Sequence, residues 1–365
     1  MKYSLIKPLL FKLSPEFAHN FAILALKNNF LTYSRNNHYP SLRNEICGID
    51  FKNPIGLAAG FDKNAEVFAN LFKYGFGFIE TGTVTNKAQT GNEKPRIFRL
   101  NEDRAIINRL GFNNNGIDVF LKNIESGRKK ILSKNDSASK ILGINIGKNK
   151  DSENSASDYL ILLERIYASV CNDFNYITIN ISSPNTQNLR KLQNKEYLDD
   201  FLKLILVRKK KLDKEYKKNI PIFLKIAPDL TRGEQEDIAE LSIKHAISGL
   251  IISNTTISRP EILQSKFKGE IGGLSGRPLF EISNLVLRNI YNLTKGQIPI
   301  IGAGGVFDAC GAYQKIKLGA SLVQIYTSFI YKGFDNVEKI KKDLNKLLEM
   351  DGFRNIREAI GADNF

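Results

Sequence analysis

The chain has 365 residues, of which 42% are hydrophobic, 10% aromatic and 25% charged, with a formal net charge of +15. That apolar share excludes disorder along most of the length. Domains of roughly 150 residues would make two units, although an α/β barrel runs longer as one. The basic excess admits nucleic acid, an anionic membrane surface, anionic ligands or plain solubility, and composition alone does not choose among them.

The first forty residues stand apart. Leu5, Ile6, Leu9, Leu10 and Phe11 make a short apolar face. Ser14-Pro15-Glu16 then predicts a helix start, with a capping side chain, a proline at the first helical position and an acid in the first turn. Phe17, Phe21 and Leu24 follow at helical spacing beside Ala18, Ala22 and Ala25, and Lys2, Lys7, Lys12, Lys27 and Arg35 outnumber Glu16. Two short apolar-faced helices with basic flanks suit either an anionic bilayer or packing against the next domain. No stretch near the start approaches the roughly 20 apolar residues of a membrane span. No signal-peptide or transit-peptide pattern is visible, so the expectation is a bacterial or similar chain facing the cytosol.

From residue 54 onward, eight apolar β-rich runs alternate with helical stretches. They are Pro54–Ala59, Phe76–Thr81, Ile141–Ile146, Tyr176–Ile181, Ile220–Ile226, Gly249–Ser253, Ile298–Ile301 and Leu322–Tyr326. Most are continuous, as in parallel strands covered on both faces. The pattern predicts an α/β fold, a (β/α)8 TIM barrel with a small N-terminal helical extension. The expected boundaries are 1–36 for the amphipathic extension and 40–365 for the barrel. Residues 82–140 read as an elaborated loop region, and a Lys-, Ser-, Asn- and Asp-rich patch within 126–158 as solvated loop.

In such a barrel the C-terminal strand ends carry the site. Here they read Ala58-Ala59-Gly60-Phe61-Asp62-Lys63, Glu80-Thr81-Gly82-Thr83, Asn145-Ile146-Gly147 and Asn180-Ile181-Ser182-Ser183-Pro184-Asn185. The later ends are Lys225-Ile226-Ala227-Pro228-Asp229, Ser253-Asn254-Thr255-Thr256, Gly302-Ala303-Gly304-Gly305 and Tyr326-Thr327. Glycines after the seventh strand and Tyr326-Thr327 after the eighth occupy the usual phosphate position of a barrel, and Gly272 to Gly276 just upstream strengthen that reading. Asn145, Asn180, Asn185 and Asn254 singly suit turns, but four around one mouth suit a planar, amide-rich ligand. Lys63 and Lys225, set among apolar residues, suit a ligand charge. Arg109 lies in Asn108-Arg109-Leu110-Gly111-Phe112-Asn113-Asn114, where Gly and Asn permit a close lid.

Metal chemistry is poorly supported. His19, His38 and His245 form no HxH or HExxH pair, and Cys47, Cys171 and Cys310 have no CxxC spacing. The thiols read as free, small, buried hydrophobes.

Several long ordered segments carry a family resemblance. They are Asn53 to Lys63, Gly91 to Leu100 (GNEKPRIFRL), Gly143 to Asn149, Asn180 to Thr186, Lys225 to Asp229, Gly272 to Pro278 and Gly319 to Tyr326. Essentially end to end, the chain closely resembles the class 2, membrane-associated, quinone-dependent dihydroorotate dehydrogenases. The resemblance implies an FMN-bound barrel oxidising dihydroorotate to orotate in pyrimidine synthesis, with ubiquinone or menaquinone as acceptor. By the same resemblance Ala59, Gly60, Phe61, Asp62, Lys63, Thr83 and Asn145 would hold FMN. Asn180, Lys225, Ser253, Gly276, Gly305, Tyr326 and Thr327 would complete its site. Lys225 beside a flavin ring would stabilise negative charge on the pyrimidine side. Lys63, Asn108, Arg109, Leu110, Gly111, Phe112, Asn180, Asn185, Asn254 and Thr255 would hold substrate. Ser183 would be the catalytic base, where the class 1 enzymes carry Cys, and Thr186 and Phe112 would border the proton path. Residues 1–36 resemble the helices through which the quinone arrives, with His19 and Arg99 as candidate tunnel residues. The resemblance also implies a monomer, peripheral on the cytoplasmic face of a bacterial inner membrane, without a metal or a nucleic-acid partner.

Two other readings compete. An FMN barrel reductase acting on RNA, of the tRNA dihydrouridine synthase type, would suit the charge, but its expected catalytic Cys is missing after the fourth strand. A non-enzymatic basic membrane-surface or RNA-binding protein leaves the clustered strand ends unexplained. The excess charge itself separates into parts. Residues 122–150 and 203–218 each carry eight Lys/Arg against two acids and read as solvated faces, while the start favours an anionic membrane. Lys63, Arg109 and Lys225 suit an anion-binding mouth.

Overall fold

The structure is a computed structural model, and it describes residues 3–30, 37–132, 140–170 and 172–364. Helices α1 (Tyr3–Lys12) and α2 (Pro15–Lys27) come first, followed by a hairpin of β1 (Asn44–Ile46) and β2 (Ile49–Phe51). The chain continues through β3 (Ile55–Leu57), α3 (Phe68–Leu71), β4 (Phe78–Val84), β5 (Ile97–Leu100), β6 (Ala105–Asn108) and α4 (Gly116–Leu132). Next come β7 (Ile141–Ile146), α5 (Ser155–Val170), β8 (Tyr176–Asn180), α6 (Lys195–Tyr216), β9 (Ile222–Ile226) and α7 (Arg232–Lys244). Then follow β10 (Gly249–Ile252), β11 (Gly273–Gly276), α8 (Phe280–Leu293), β12 (Ile300–Ala303), α9 (Ala309–Lys317) and β13 (Leu322–Ile325). Helices α10 (Thr327–Lys332), α11 (Asp335–Met350) and α12 (Ile356–Ala359) end the chain.

Strands β3, β4, β7, β8, β9, β10, β12 and β13 close into a parallel barrel in that order, β13 returning to pair with β3. Each of the eight expected runs overlaps one of these strands. All eight are buried along their whole length, which is why their sequences are continuous rather than alternating. The barrel interior is filled by aromatic side chains lying against glycines. A Cβ on Gly56 would meet the Phe78 ring at 2.3 Å, one on Gly143 the Tyr176 ring at 2.2 Å, and one on Gly249 the Phe223 ring at 2.4 Å. The β1–β2 hairpin closes the floor, with Ile46 and Phe51 joining Phe78, Tyr176 and Phe223 in one cluster.

The region 82–140 is more ordered than expected. It holds the β5–β6 hairpin and α4, and the glycine-rich stretch Gly273–Gly276 is a strand that pairs antiparallel with β6 to complete a three-stranded sheet. Alternation is short in β5, β6 and β11, so no periodicity marks them. The patch within 126–158 likewise contains the end of α4, all of β7 and the start of α5, with 133–139 outside the described residues.

Both N-terminal helices form. Pro15 opens α2, but the Ser14 side chain makes no capping hydrogen bond. One face of the pair packs on the barrel, with Phe11 edge-on to Tyr331 and Tyr3 edge-on to Phe334. Leu5, Leu9, Phe17 and Leu24 on the other face stay exposed, while Phe21 is exposed and also lines the cavity described below. Cys47 and Cys310 are free and exposed, not buried. Cys47 occupies the hairpin turn with φ 53°, and Cys310 lies in the first turn of α9 on its solvent side. Cys171 and Arg35 lie outside the described residues.

Candidate active site

One cavity of about 280 Å³ runs from the C-terminal mouth of the barrel to the inner faces of α1 and α2. Its deep end is lined by the strand ends and its outer end by Ile6, Leu10, Ala18, Ala22 and Ala25. The wall between them comes from the added sheet, through Ile97, Arg99, Ile106, Asn108, Ser275 and Gly276.

The floor is a buried polar network centred on Glu80. Its Oε1 accepts from Asn145 Nδ2 at 2.7 Å, and its Oε2 accepts from Gln324 Nε2 at 2.9 Å, Thr178 Oγ1 at 3.0 Å and Tyr176 Oη at 3.2 Å. A carboxylate inside a barrel needs this many donors. Burial pushes the Lys225 ammonium below the ordinary lysine range, and the Glu80 charge opposes that shift. Above this floor Thr83 Oγ1 donates to Asn145 Oδ1 at 2.5 Å and accepts from Asn180 Nδ2 at 3.1 Å. Asn254 Nδ2 donates to Asn180 Oδ1 at 3.2 Å and Ser182 Oγ at 3.0 Å. Three of the expected asparagines, with Thr83, thus form one chain across the ends of β4, β7, β8 and β10.

On the opposite side Gly304 and Gly305 have φ of 105° and 73°. This left-handed backbone admits only glycine comfortably, and a Cβ on Gly305 would strike Phe280 Cα at 2.5 Å. Ser275 and Thr327 share a hydrogen bond of 2.8 Å beside them. Gln324 Oε1 and Ser328 Oγ line the same cavity, are buried, and have no hydrogen-bond partner among the described residues.

The roof is built from loops. Asn185 Nδ2 lies 3.4 Å from Asn108 Oδ1, and the Asn185 backbone N–H donates to Ser183 Oγ at 3.3 Å. Thr186 Oγ1 is buried and has no hydrogen-bond partner among the described residues. Arg190 holds this loop down through Asp229 at 2.8 Å, the Ser182 carbonyl at 3.0 Å and the Thr255 carbonyl at 2.9 Å. Burial, with Arg96 adding and Glu16 opposing, pushes the Lys63 ammonium down to about 8. His19 packs edge-on to Phe61 at 5.2 Å, and burial together with Lys63 lowers its pKa to about 3. Arg99 donates to the carbonyls of Leu10 and Leu13 and lies over the Phe11 ring at 4.7 Å.

Ala59, Gly60, Phe61, Lys63, Thr83, Asn180, Lys225, Ser253, Gly276, Gly305, Tyr326 and Thr327 all line the cavity. So do Asn108, Leu110, Gly111, Phe112, Ser183, Asn185, Asn254, Thr255, His19 and Arg99. Three expected residues do not. Asn145 sits one layer below, behind Thr83. Asp62 turns into its own loop, accepting from the backbone N–H groups of Glu66 and Val67 at 2.7 and 2.8 Å. Arg109 points away from the cavity, paired with Glu270 at 2.7 Å and stacked over Phe98 at 4.6 Å, so its charge is already spent. The sequence reading gave no role to Glu80 or to the Arg190–Asp229 clamp. An acid inside a fully buried strand was a usable signal for Glu80, whereas nothing in the spacing joins Arg190 to Asp229.

Comparison with known proteins adds an independent line. Residues 41–348 match the family described as dihydroorotate dehydrogenase. A dihydroorotate dehydrogenase (quinone) of Agrobacterium fabrum is 46% identical over 96% of this chain and 93% of its own length. A mitochondrial dihydroorotate dehydrogenase (quinone) of Arabidopsis thaliana is 44% identical over 98% of this chain and 81% of its own. Among solved structures, that of Eimeria tenella DHODH in complex with ferulenol superposes with a TM-score of 0.90 at 42% identity, covering 96% of this chain and 95% of that one.

Proposed function

The chain belongs to the dihydroorotate dehydrogenase family, and from that membership we propose a role for each wall of its cavity. The protein is the quinone-dependent enzyme, which oxidises dihydroorotate to orotate in pyrimidine synthesis. An RNA-reducing flavoprotein is thereby set aside.

FMN is the flavin that suits the deep end. The left-handed Gly304–Gly305 turn with the Ser275 and Thr327 hydroxyls suits its phosphate. A Cβ on Gly60 would have only Tyr326 near it, at 3.5 Å, so this wall leaves room for a flat ring. The unpartnered Gln324 Oε1 and Ser328 Oγ lack a polar group that a bound ligand would supply. Bound there, FMN supplies a hydride acceptor at N5 and a relay of the electron pair to the quinone.

The chain's own residues do the rest. Lys63 and the amides of Asn108, Asn185 and Asn254 bind the carboxylate and ring amides of the substrate. Ser183 Oγ takes the proton from C5 while C6 loses its hydride. A hydroxyl is a weak base, so the proton must pass on to water, along a path bordered by the Thr186 hydroxyl and Phe112. Lys225 faces the negative charge that reduction places on the pyrimidine side.

The quinone approaches between α1 and α2, past His19 and Arg99. Residues 1–36 act as this access segment, and 40–365 as the catalytic barrel. The exposed Leu5, Leu9, Phe17, Phe21 and Leu24 rest on the membrane. Among the described residues no helix is long and apolar enough to cross one. The monomer works as a peripheral protein on the cytoplasmic face of a bacterial inner membrane, with ubiquinone or menaquinone as acceptor.

The observation carrying this reading is the single cavity that joins the polar strand ends to the apolar helices. Its test is optical. The purified protein is expected to be yellow, to bleach when dihydroorotate is added without oxygen, and to recover colour with a quinone. A colourless protein, or a flavin that dihydroorotate leaves oxidised, overturns it.

A further inference from the structure

Outside the cavity, behind the glycine turn, lies a cation that the mechanism does not use. Lys315, on α9, is 0% exposed. Its Nζ donates to Ser283 Oγ at 2.8 Å and to Asn284 Oδ1 at 2.8 Å, and it lies 5.2 Å from the centre of the Phe280 ring. These neighbours carry no charge. The acid that acts on it electrostatically, Glu281, is exposed to solvent. A buried ammonium among neutral partners is costly unless an anion stands near.

The contacts lead straight to the turn. Because Lys315 donates to Ser283 Oγ, the Ser283 hydroxyl proton must point elsewhere. That one proton is shared between the carbonyls of Phe280 at 2.9 Å and Gly304 at 3.3 Å. Phe280, the next residue on that side, is the one a Cβ on Gly305 would strike. The Lys315 stem also backs the strand before the turn, since a Cβ on Gly302 would lie 3.2 Å from Lys315 Cδ. Lys315 and Ser283 therefore support the Gly302–Gly305 segment from behind, with a positive charge on the side opposite the cavity.

We propose that Lys315 is a positioning residue for the phosphate of the flavin, holding the Gly304 carbonyl away from the cavity through Ser283 and lending the glycine turn a buried positive charge. The proposal rests on the FMN reading above. It gives a reason for a lysine at a place where an apolar side chain would pack at lower cost. Burial pushes its pKa down to about 7, with Glu281 opposing the shift.

The test compares FMN with riboflavin, which has the same ring and no phosphate. Flavin-depleted wild type and the variants Lys315→Met, Lys315→Gln and Ser283→Ala are titrated with both, following quenching of flavin fluorescence, with thermal melting as a control on folding. Wild type should prefer FMN strongly. Lys315→Met and Lys315→Gln should lose about tenfold or more of that preference with riboflavin affinity little changed. Ser283→Ala, which keeps the charge and removes the link, should lose a smaller part of it. Wild type without any preference for FMN would sink the FMN reading itself. A normal wild-type preference that survives in the Lys315 variants overturns this inference alone. So does an equal loss for both ligands, or failure of all three variants to yield folded protein, since either makes the residue merely structural.

Discussion

Ser183 and Lys63 show how far single side chains can be read. Replacing Ser183 with Ala removes the proposed base and leaves the cavity's shape almost intact. Stopped-flow reduction of the flavin by dihydroorotate should slow by about 10²- to 10⁴-fold, while quinone reoxidation stays nearly unchanged. Unaltered reduction would take Ser183 out of the base role. Lys63 carries a pH prediction. Its pKa is depressed to about 8, so the ammonium proposed to bind the substrate anion is present below pH 8 and is lost above it. The KM for dihydroorotate should therefore rise as pH climbs through 8. In Lys63→Met it should be high throughout and lack that rise. The asparagines were legible from sequence because a polar residue ending an apolar strand advertises itself. Arg109 was misplaced for a complementary reason. Its neighbours Asn108 and Leu110 to Phe112 line the cavity, but the acid that neutralises it, Glu270, is 161 residues away along the chain.

At the level of elements, α1 and α2 divide their work between two faces. The inner face closes the cavity and the outer one exposes a row of large apolar residues. Leu9 and Phe17 belong to that row and do not line the cavity. A Leu9→Asp/Phe17→Asp variant should sediment with anionic lipid vesicles about tenfold less and use a long-chain quinone poorly. Its flavin should still be reduced by dihydroorotate at the normal rate, and a short soluble quinone should still reoxidise it. Loss of flavin reduction as well would mean that the helices support the barrel rather than the membrane route. Helical spacing announced both helices. Which face met protein and which met solvent was not legible, because both faces carry apolar residues. The β5–β6–β11 sheet was hidden more completely. Its third strand, Gly273–Gly276, is recruited from 165 residues beyond Asn108 in the observed Asn108–Gly273 register, and its glycines read in the sequence as part of a phosphate pocket rather than as a strand.

For the molecule as a whole, the barrel depends on glycine beneath aromatic rings. Gly143→Ala would drive a methyl group into Tyr176, whose hydroxyl also serves Glu80. The expected cost is about 1–3 kcal/mol, read as a lower urea midpoint with an unchanged slope. A midpoint equal to wild type would show that the interior has slack. The charge excess resolves at this scale too. Much of it lies on the end of α4 and along α6, where Lys129 pairs with Glu125 and Arg208 with Glu164 on solvent-facing sides. Arg128, however, is buried against the carbonyls of Asp173 and Lys140, and the Lys209–Asp213 pair is largely buried, so the solvated-face expectation holds only in part. By itself the sequence determined the eight strands, their order of chemistry and the ends that carry the site, because burial on both faces and polar strand ends are local signals written in consecutive residues. Only the tertiary structure decided what those residues meet. The network around Glu80, the Arg190–Asp229 clamp, the exclusion of Arg109 and the placing of Lys315 behind the glycine turn all join residues far apart in the chain. Closure of the barrel brings them together, and no local pattern encodes those distances.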